Sequence, residues 1–386
     1  MLIVTTIVFS IIFAVPVTAS GNFTPVTGWE MIERFGMGIN IGNTLDARQW
    51  PGETWADGRD TETIWGSVRI EKQHFEAIAG KGFNNVRIPV TWTPHMNANG
   101  IISKAWMDRV QQCVDWALEA GLIVIINTHH EAEFYEMLAA DNISEATAWL
   151  IKTWEQIAER FKNYPETLIF EPMNEPNLGS YTGGDWIHRP DGGLDMKLVE
   201  NTNALNMAAL ETIRSSGGNN NKRLVALTVP GAQVDCLPHY IHPDDPYTML
   251  GIFYYDGHDF NYIKEFTKRN IPLFIKETSP FNFGTNTLPQ QGVIAWTKHY
   301  YAELAKLGIP SMWWNCSGAN PEELFSRRTG EWNKPLLDAF FAAYEHIPSI
   351  VNTTADAIAI LRDIAAGKPG ATTADAIAIL KQIAAG

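Results

Sequence analysis

The sequence predicts an α/β protein, a (β/α)8 barrel with a short C-terminal helical hairpin, and two patterns carry that prediction. Short apolar, β-branched runs alternate with longer amphipathic stretches from about residue 30 to 346. Runs such as LIVIIN are apolar at nearly every position, which calls for burial on both faces, as in a parallel sheet wrapped by helices. Eight strand–helix units make a TIM barrel, and the ~250 residues typical of that fold leave room here for long loops.

Candidate strands, each a short apolar run, fall at Gly36–Gly42, Asn85–Ile88, Leu122–Thr128, Leu168–Asn174, Leu224–Val229, Met249–Tyr255, Pro272–Glu277 and Ser311–Asn315. Helical patterns between most of them cover Arg69–Gly80, Ser103–Ala120, Ser144–Asn163, Met196–Ser216, Phe260–Lys268, Gln290–Leu307 and Lys334–Glu345. The fifth crossover, around Gln233–Asp245, has the weakest helical signal.

Both ends differ in character from the barrel region, residues 21–348. MLIVTTIVFSIIFAVPVTAS (1–20) carries no charge and ends in small residues, with Val17 and Ala19 placed for cleavage after Ala19. It reads as a secretory signal peptide, which puts the protein outside the cell. An uncleaved anchor is the alternative, since Leu2–Val17 is marginal for a span of ~20 residues. After Pro348, TTADAIAILRDIAAG (353–367) recurs as TTADAIAILKQIAAG (372–386). Each copy has a Thr–x–x–Asp capping pattern and apolar residues at helical spacing, so the tail 349–386 should form two helices joined by Gly367–Gly370.

Composition narrows the function. With 386 residues, 45% hydrophobic and 11% aromatic, the chain can bury a full core and lies outside the range of disordered sequences. Its 29 Lys and Arg against 43 Asp and Glu give a net charge of −14, which opposes long-range attraction to nucleic acid or an anionic membrane. Cys113, Cys236 and Cys316 are too few for a disulfide scaffold.

In such a barrel the C-terminal strand ends converge on one site, so polar residues closing different strands are read together: Arg87, His129 and His130, Asn174 and Glu175, Tyr255, Glu277 and Trp314. Singly, each is a rim or packing residue; together they form a constellation. Two carboxylates on strands four and seven, with no Cys/His cluster at metal-ligand spacing, point to acid/base and nucleophile chemistry without metal or cofactor. Glycoside hydrolysis uses such a pair. Arg87 beside a carboxylate would favour its ionised form, and Asn174 could bind a sugar 2-hydroxyl.

GINIGNTLDA, GFNNVRIPVTW, INTHHE, FEPMNEP, the strand ending in Glu277 and MWWN, in that order over about residues 30–346, resemble glycoside hydrolase family 5, the retaining cellulase family. Within it the likeness is to the endoglucanases that also handle xyloglucan and mixed-linkage glucans. The resemblance implies Glu175 as acid/base, Glu277 as nucleophile, Arg87 as its support, Asn174 at the 2-hydroxyl, and His129 and Tyr255 lining the −1 site. Trp314 would floor that site, with His130, Asn43 and Trp65 contributing to substrate binding. The implied activity is an endo-β-1,4-glucanase, acting as a monomer on a polysaccharide. The same chemistry on xyloglucan, mannan or xylan, or a catalytically impaired glycan-binding protein, are the alternatives.

Two departures from that pattern stand out. Where the family has His–x–Tyr ending strand six, this chain has Phe253-Tyr254-Tyr255, with His258 on a nearby loop. Lys276 replaces the small residue before the nucleophile; alternation counted from Glu277 aims it at the helix layer, where it would need a carboxylate partner. Of the tryptophans, Trp116, Trp149 and Trp154 read as packing residues, whereas Trp50, Trp55, Trp65, Trp92 and Trp186 are candidate sugar platforms, Trp65 and Trp92 first. The tail is similar to the helical half of a dockerin repeat, with Asp356 and Asp375 at the last calcium ligand. The Asp-x-Asn-x-Asp-Gly run is missing, so a degenerate helical tail, open to a protein partner but without calcium, is expected.

Overall fold

The computed structural model describes residues 23–49, 61–179, 186–189, 191–255, 260–280, 290–316 and 323–345. The signal peptide, the tail 349–386, Trp50, Trp55 and His258 lie outside the described residues.

Eight parallel strands close a barrel in chain order. They are β1 Gly38–Gly42, β2 Asn85–Ile88, β3 Ile123–Asn127, β4 Leu168–Glu171, β5 Val225–Leu227, β6 Thr248–Phe253, β7 Leu273–Thr278 and β8 Ser311–Cys316, with β8 paired to β1. Helices α2 Lys72–Gly80, α3 Lys104–Glu119, α5 Ile143–Phe161, α6 Met196–Ser215, α7 Asn261–Thr267, α8 Gln290–Lys306 and α9 Lys334–Glu345 correspond to the sequence patterns. The weak fifth crossover is a short 3-10 helix, Val234–His239, interrupted by Pro238.

Two helices escape the sequence reading. Helix α4, Ala132–Ala139, lies in the loop after β3. Helix α1, Gly28–Phe35, opens with a Thr27–Glu30 capping box and puts Met31, Ile32 and Phe35 under the barrel. There they meet the inward residues Ile123, Ile125, Ile169, Leu224, Ala226, Met249, Phe274 and Met312. An added Cβ at Gly28 would come within 2.3 Å of the Thr248 carbonyl oxygen, so only glycine lets the helix start this close to the sheet.

Strand alternation carries the same inward face upward from that apolar layer. Above Ile125 comes Asn127, above Ile169 Glu171, above Ala226 Thr228, above Met249 Gly251 and Phe253, above Phe274 Lys276, and above Met312 Trp314. The barrel interior is thus apolar at its base and charged toward its C-terminal mouth. Glu277 reaches that interior through an irregularity: Ile252 pairs Ile275 but Phe253 pairs Glu277, and Ile275 pairs Ser311 while Thr278 pairs Trp313. One extra residue in β7 is a bulge, and it puts the neighbours Lys276 and Glu277 on one face. This corrects the expectation that Lys276 faces the helices; alternation has to be counted from Phe274, not across the bulge.

Candidate active site

Arg87, on β2, is fully buried and organises the mouth of the barrel. Its Nε and Nη2 donate to the two oxygens of Glu171 at 2.6 and 2.8 Å. Nη2 also donates to Asn174 Oδ1 at 2.7 Å, and Nη1 to Asn40 Oδ1 at 3.0 Å and Glu277 Oε1 at 2.5 Å. The bidentate fork therefore goes to Glu171, and Glu277 shares one N–H bearing nitrogen with Asn40. The other Glu277 oxygen accepts from the Tyr255 hydroxyl at 3.0 Å, and His129 Nε2 lies 4.0 Å from Oε1.

Burial dominates the electrostatics. It pushes the Glu277 carboxyl up to about 7 against the pull of Arg87. Arg87 was expected to hold the nucleophile ionised; it lowers the Glu277 carboxyl, but burial outweighs it, and its bidentate partner is Glu171. Burial also raises Glu171, yet Arg87 and Lys276 together outweigh it and hold that carboxyl below its usual range. Burial, the charge of Glu277 and, less strongly, that of Glu175 push the Tyr255 hydroxyl well above its ordinary value, so it stays a donor. His129 is held well below the usual imidazole value, first by burial and then by His130 and Arg87, which keeps it neutral beside Glu277.

Glu175 is buried at the same mouth, but not on a strand. Strand β4 ends at Glu171 because Pro172 has no N–H for the ladder. Residues 172–175 are instead carried by side chains and loop bonds: Asn174 N donates to the Thr128 carbonyl, Thr128 Oγ1 to that of Pro172, and Asn177 Nδ2 to that of Glu175 at 2.7 Å.

Beside the carboxylates runs a row of rings. Trp314, half-exposed, stacks on His129 with centroids 5.7 Å apart and planes within 5°. His129 meets His130 at 4.3 Å, and His130 meets Trp65 at 5.2 Å. Trp65 is half-buried and donates from Nε1 to the Arg48 carbonyl. His130 Nδ1 faces the Asp46 carbonyl at 3.1 Å. Asn43 adopts φ 60° and donates its backbone N–H to Asp46, so the structure gives it a turn-forming role.

Trp92 is a correction: it is fully buried and donates Nε1 to the Asn127 carbonyl, which leaves no face for a sugar. Trp154 is a core residue as expected, with Trp116, Trp149 and also Trp186 packed against the core. Asp46, His129 and His130 bring one ligand-type atom each within 4.8 Å, a cluster that linear spacing does not reveal. Its Asp46 oxygens already accept the N–H groups of Asn43 and Thr44.

Sequence reasoning missed Glu171 and misdirected Lys276, which are each other's partners at 2.8 Å. The readable signal was a matched pair: one acid in LIFE and one base in LFIK, each in an apolar run that must bury it.

The chain and its fold have counterparts among known proteins. The family model described as Cellulase (glycosyl hydrolase family 5) matches residues 49–320. Endoglucanase A of Ruminococcus albus is 32% identical over 351 residues, covering 81% of this chain and 91% of that protein. A solved GH5-4 broad specificity endoglucanase from Clostridium longisporum superposes with a TM-score of 0.74 at 27% identity, over 84% of this chain and all of that one. One from Ruminococcus champanellensis with bound cellotriose gives 0.73 at 25% identity, covering 83% and 99%. By family model and relatives alike, the chain belongs to glycosyl hydrolase family 5, the cellulase family.

Proposed function

We propose that the chain is a retaining endo-β-1,4-glucanase acting on internal bonds of cellulose or related β-glucans, with Glu277 as nucleophile and Glu175 as acid/base. Family membership and the endoglucanase relatives support the activity. The observation that carries the division of roles is the two-point hold on Glu277, one oxygen on Arg87 and the other on Tyr255. A carboxylate fixed at both oxygens is aimed, as a nucleophile must be. The position of Glu175, outside the sheet yet close enough to influence Tyr255, supports its reading as the group that exchanges protons.

In the first step a Glu277 oxygen attacks the anomeric carbon while Glu175 protonates the departing glycosidic oxygen, leaving a glycosyl–Glu277 ester. Glu175, now a carboxylate, takes a proton from water, which displaces Glu277 and restores both groups. In this reading Asn174, oriented by Arg87, meets the 2-hydroxyl, and Trp314 with Trp65 the sugar faces. The charge-free leader supports secretion, and the tail is proposed as an appendage for a protein partner on an otherwise monomeric enzyme.

An activated 2-deoxy-2-fluoro cellobioside should trap the ester, and peptide mapping should place the label on Glu277. NMR of early hydrolysis of a soluble β-glucan should show the β-anomer first. Label elsewhere, or α-product first, overturns the assignment. A panel including xyloglucan, mannan and xylan ranks the substrates.

A further inference from the structure

Lys276 is fully buried inside the barrel mouth, one residue before Glu277. Its Nζ donates to Glu171 Oε1 at 2.8 Å, the Asn174 carbonyl at 2.5 Å, Thr228 Oγ1 at 3.2 Å and the Met173 carbonyl at 3.3 Å. The Phe253 ring covers the ammonium at 5.3 Å. Room for the stem comes from Gly251, where a Cβ would approach Lys276 Cδ to 3.1 Å and the Phe274 ring to 2.9 Å.

Neutralising Glu171 accounts for only one of these four contacts. The ammonium also reaches the two consecutive carbonyls that precede Glu175. The Asn174 carbonyl belongs to the same planar peptide as the Glu175 N–H, so holding that oxygen sets the plane from which the Glu175 side chain departs. Asn177 holds the carbonyl on the other side. Pro172 has removed this segment from the sheet ladder, and the ammonium supplies a replacement tie to β7.

We propose that Lys276 is a positioning residue that ties the Glu175 peptide to the strand bearing Glu277, setting the acid/base against the nucleophile from within the barrel. This rests on the assignment of Glu175 and Glu277 above. The Phe253 ring, where the family has a histidine, completes the cage around the ammonium, so the two departures from the family pattern form one unit.

Leaving-group dependence tests the tie, because misplacing a general acid hurts poor leaving groups and spares good ones. Glu175→Gln, Lys276→Met and the parent would be compared by kcat/KM on soluble β-glucan and on dinitrophenyl β-cellobioside, normalised by active-site titration with the fluoro-glycoside. Lys276→Met should lose about tenfold on glucan and stay within about twofold on the activated glycoside. Should that variant fail to fold, Glu171→Gln/Lys276→Met, which removes cation and anion together, gives the same comparison. Equal losses on both substrates, or none, in the folded variant overturn the proposal. If Glu175→Gln itself shows no leaving-group dependence, the catalytic assignment is what fails.

Discussion

Arg87 divides its guanidinium unequally, and the consequence for Glu277 can be measured. Burial pushes the Glu277 carboxyl up to about 7 against the pull of its single Arg87 contact, so kcat/KM, which reports the free enzyme, should fall on the acid side with a midpoint near that value. An acid limb centred below pH 5 would contradict it. The same shift fixes a sign for stability. A carboxyl bound more tightly to its proton when folded adds stability that is complete below its unfolded pKa, near 4.5, and lost as pH rises through about 7. Glu277→Gln has no charge to bury, so its stability advantage over the parent should grow by on the order of 3 kcal/mol between pH 4.5 and 8. Denaturation at several pH values checks this; a constant difference refutes it. At this scale Arg87, His129, Asn174, Tyr255 and Glu277 were legible as polar residues closing apolar strands. Lys276 was not, because period-two counting fails across an inserted residue.

Among the elements, β1 and β8 illustrate how closely the sheet is fitted to the site. Gly42 lies against Trp314, and a Cβ there would come 2.6 Å from the indole Cζ2. Gly42→Ala should displace the ring from its stack on His129, raising KM on soluble glucan several-fold and costing about 1–3 kcal/mol through overpacking. Unchanged KM with normal stability would mean that the indole is not a sugar platform. The strands were readable since both faces are buried and their apolar runs stand out. Helix α1 was harder: at eight residues it is too short for periodicity to separate from chance, although its Thr27–Glu30 capping box was in view. Helix α4 follows directly on His129, His130 and Glu131, where polar residues read as loop. The early end of β4 follows from Pro172.

Over the whole molecule, the closed ring of strands uses nothing beyond β8 and its following helix. Truncation after Pro348 should leave kcat/KM on soluble glucan within about twofold, and EDTA should leave the melting temperature of the full chain unchanged. A melt that EDTA lowers in the full chain but not in the truncated one would mean that the tail binds the ion after all. The whole chain has a net charge of −14, whereas the formal charges of the buried Arg87, Lys276, Glu171 and Glu277 cancel. That cancellation governs how the sequence can drift. Changing one of the four alone strands a charge in the barrel, so Lys276→Gly should damage the enzyme, and Phe253→His, which takes the covering ring off the ammonium, should damage it too. Made together, they replace the buried ammonium with an imidazole on the position that now covers it, and a double-mutant cycle should show favourable coupling above about 1 kcal/mol. Such coupling would make positions 253 and 276 a single step on a mutational path, with each single substitution a valley between two working sequences.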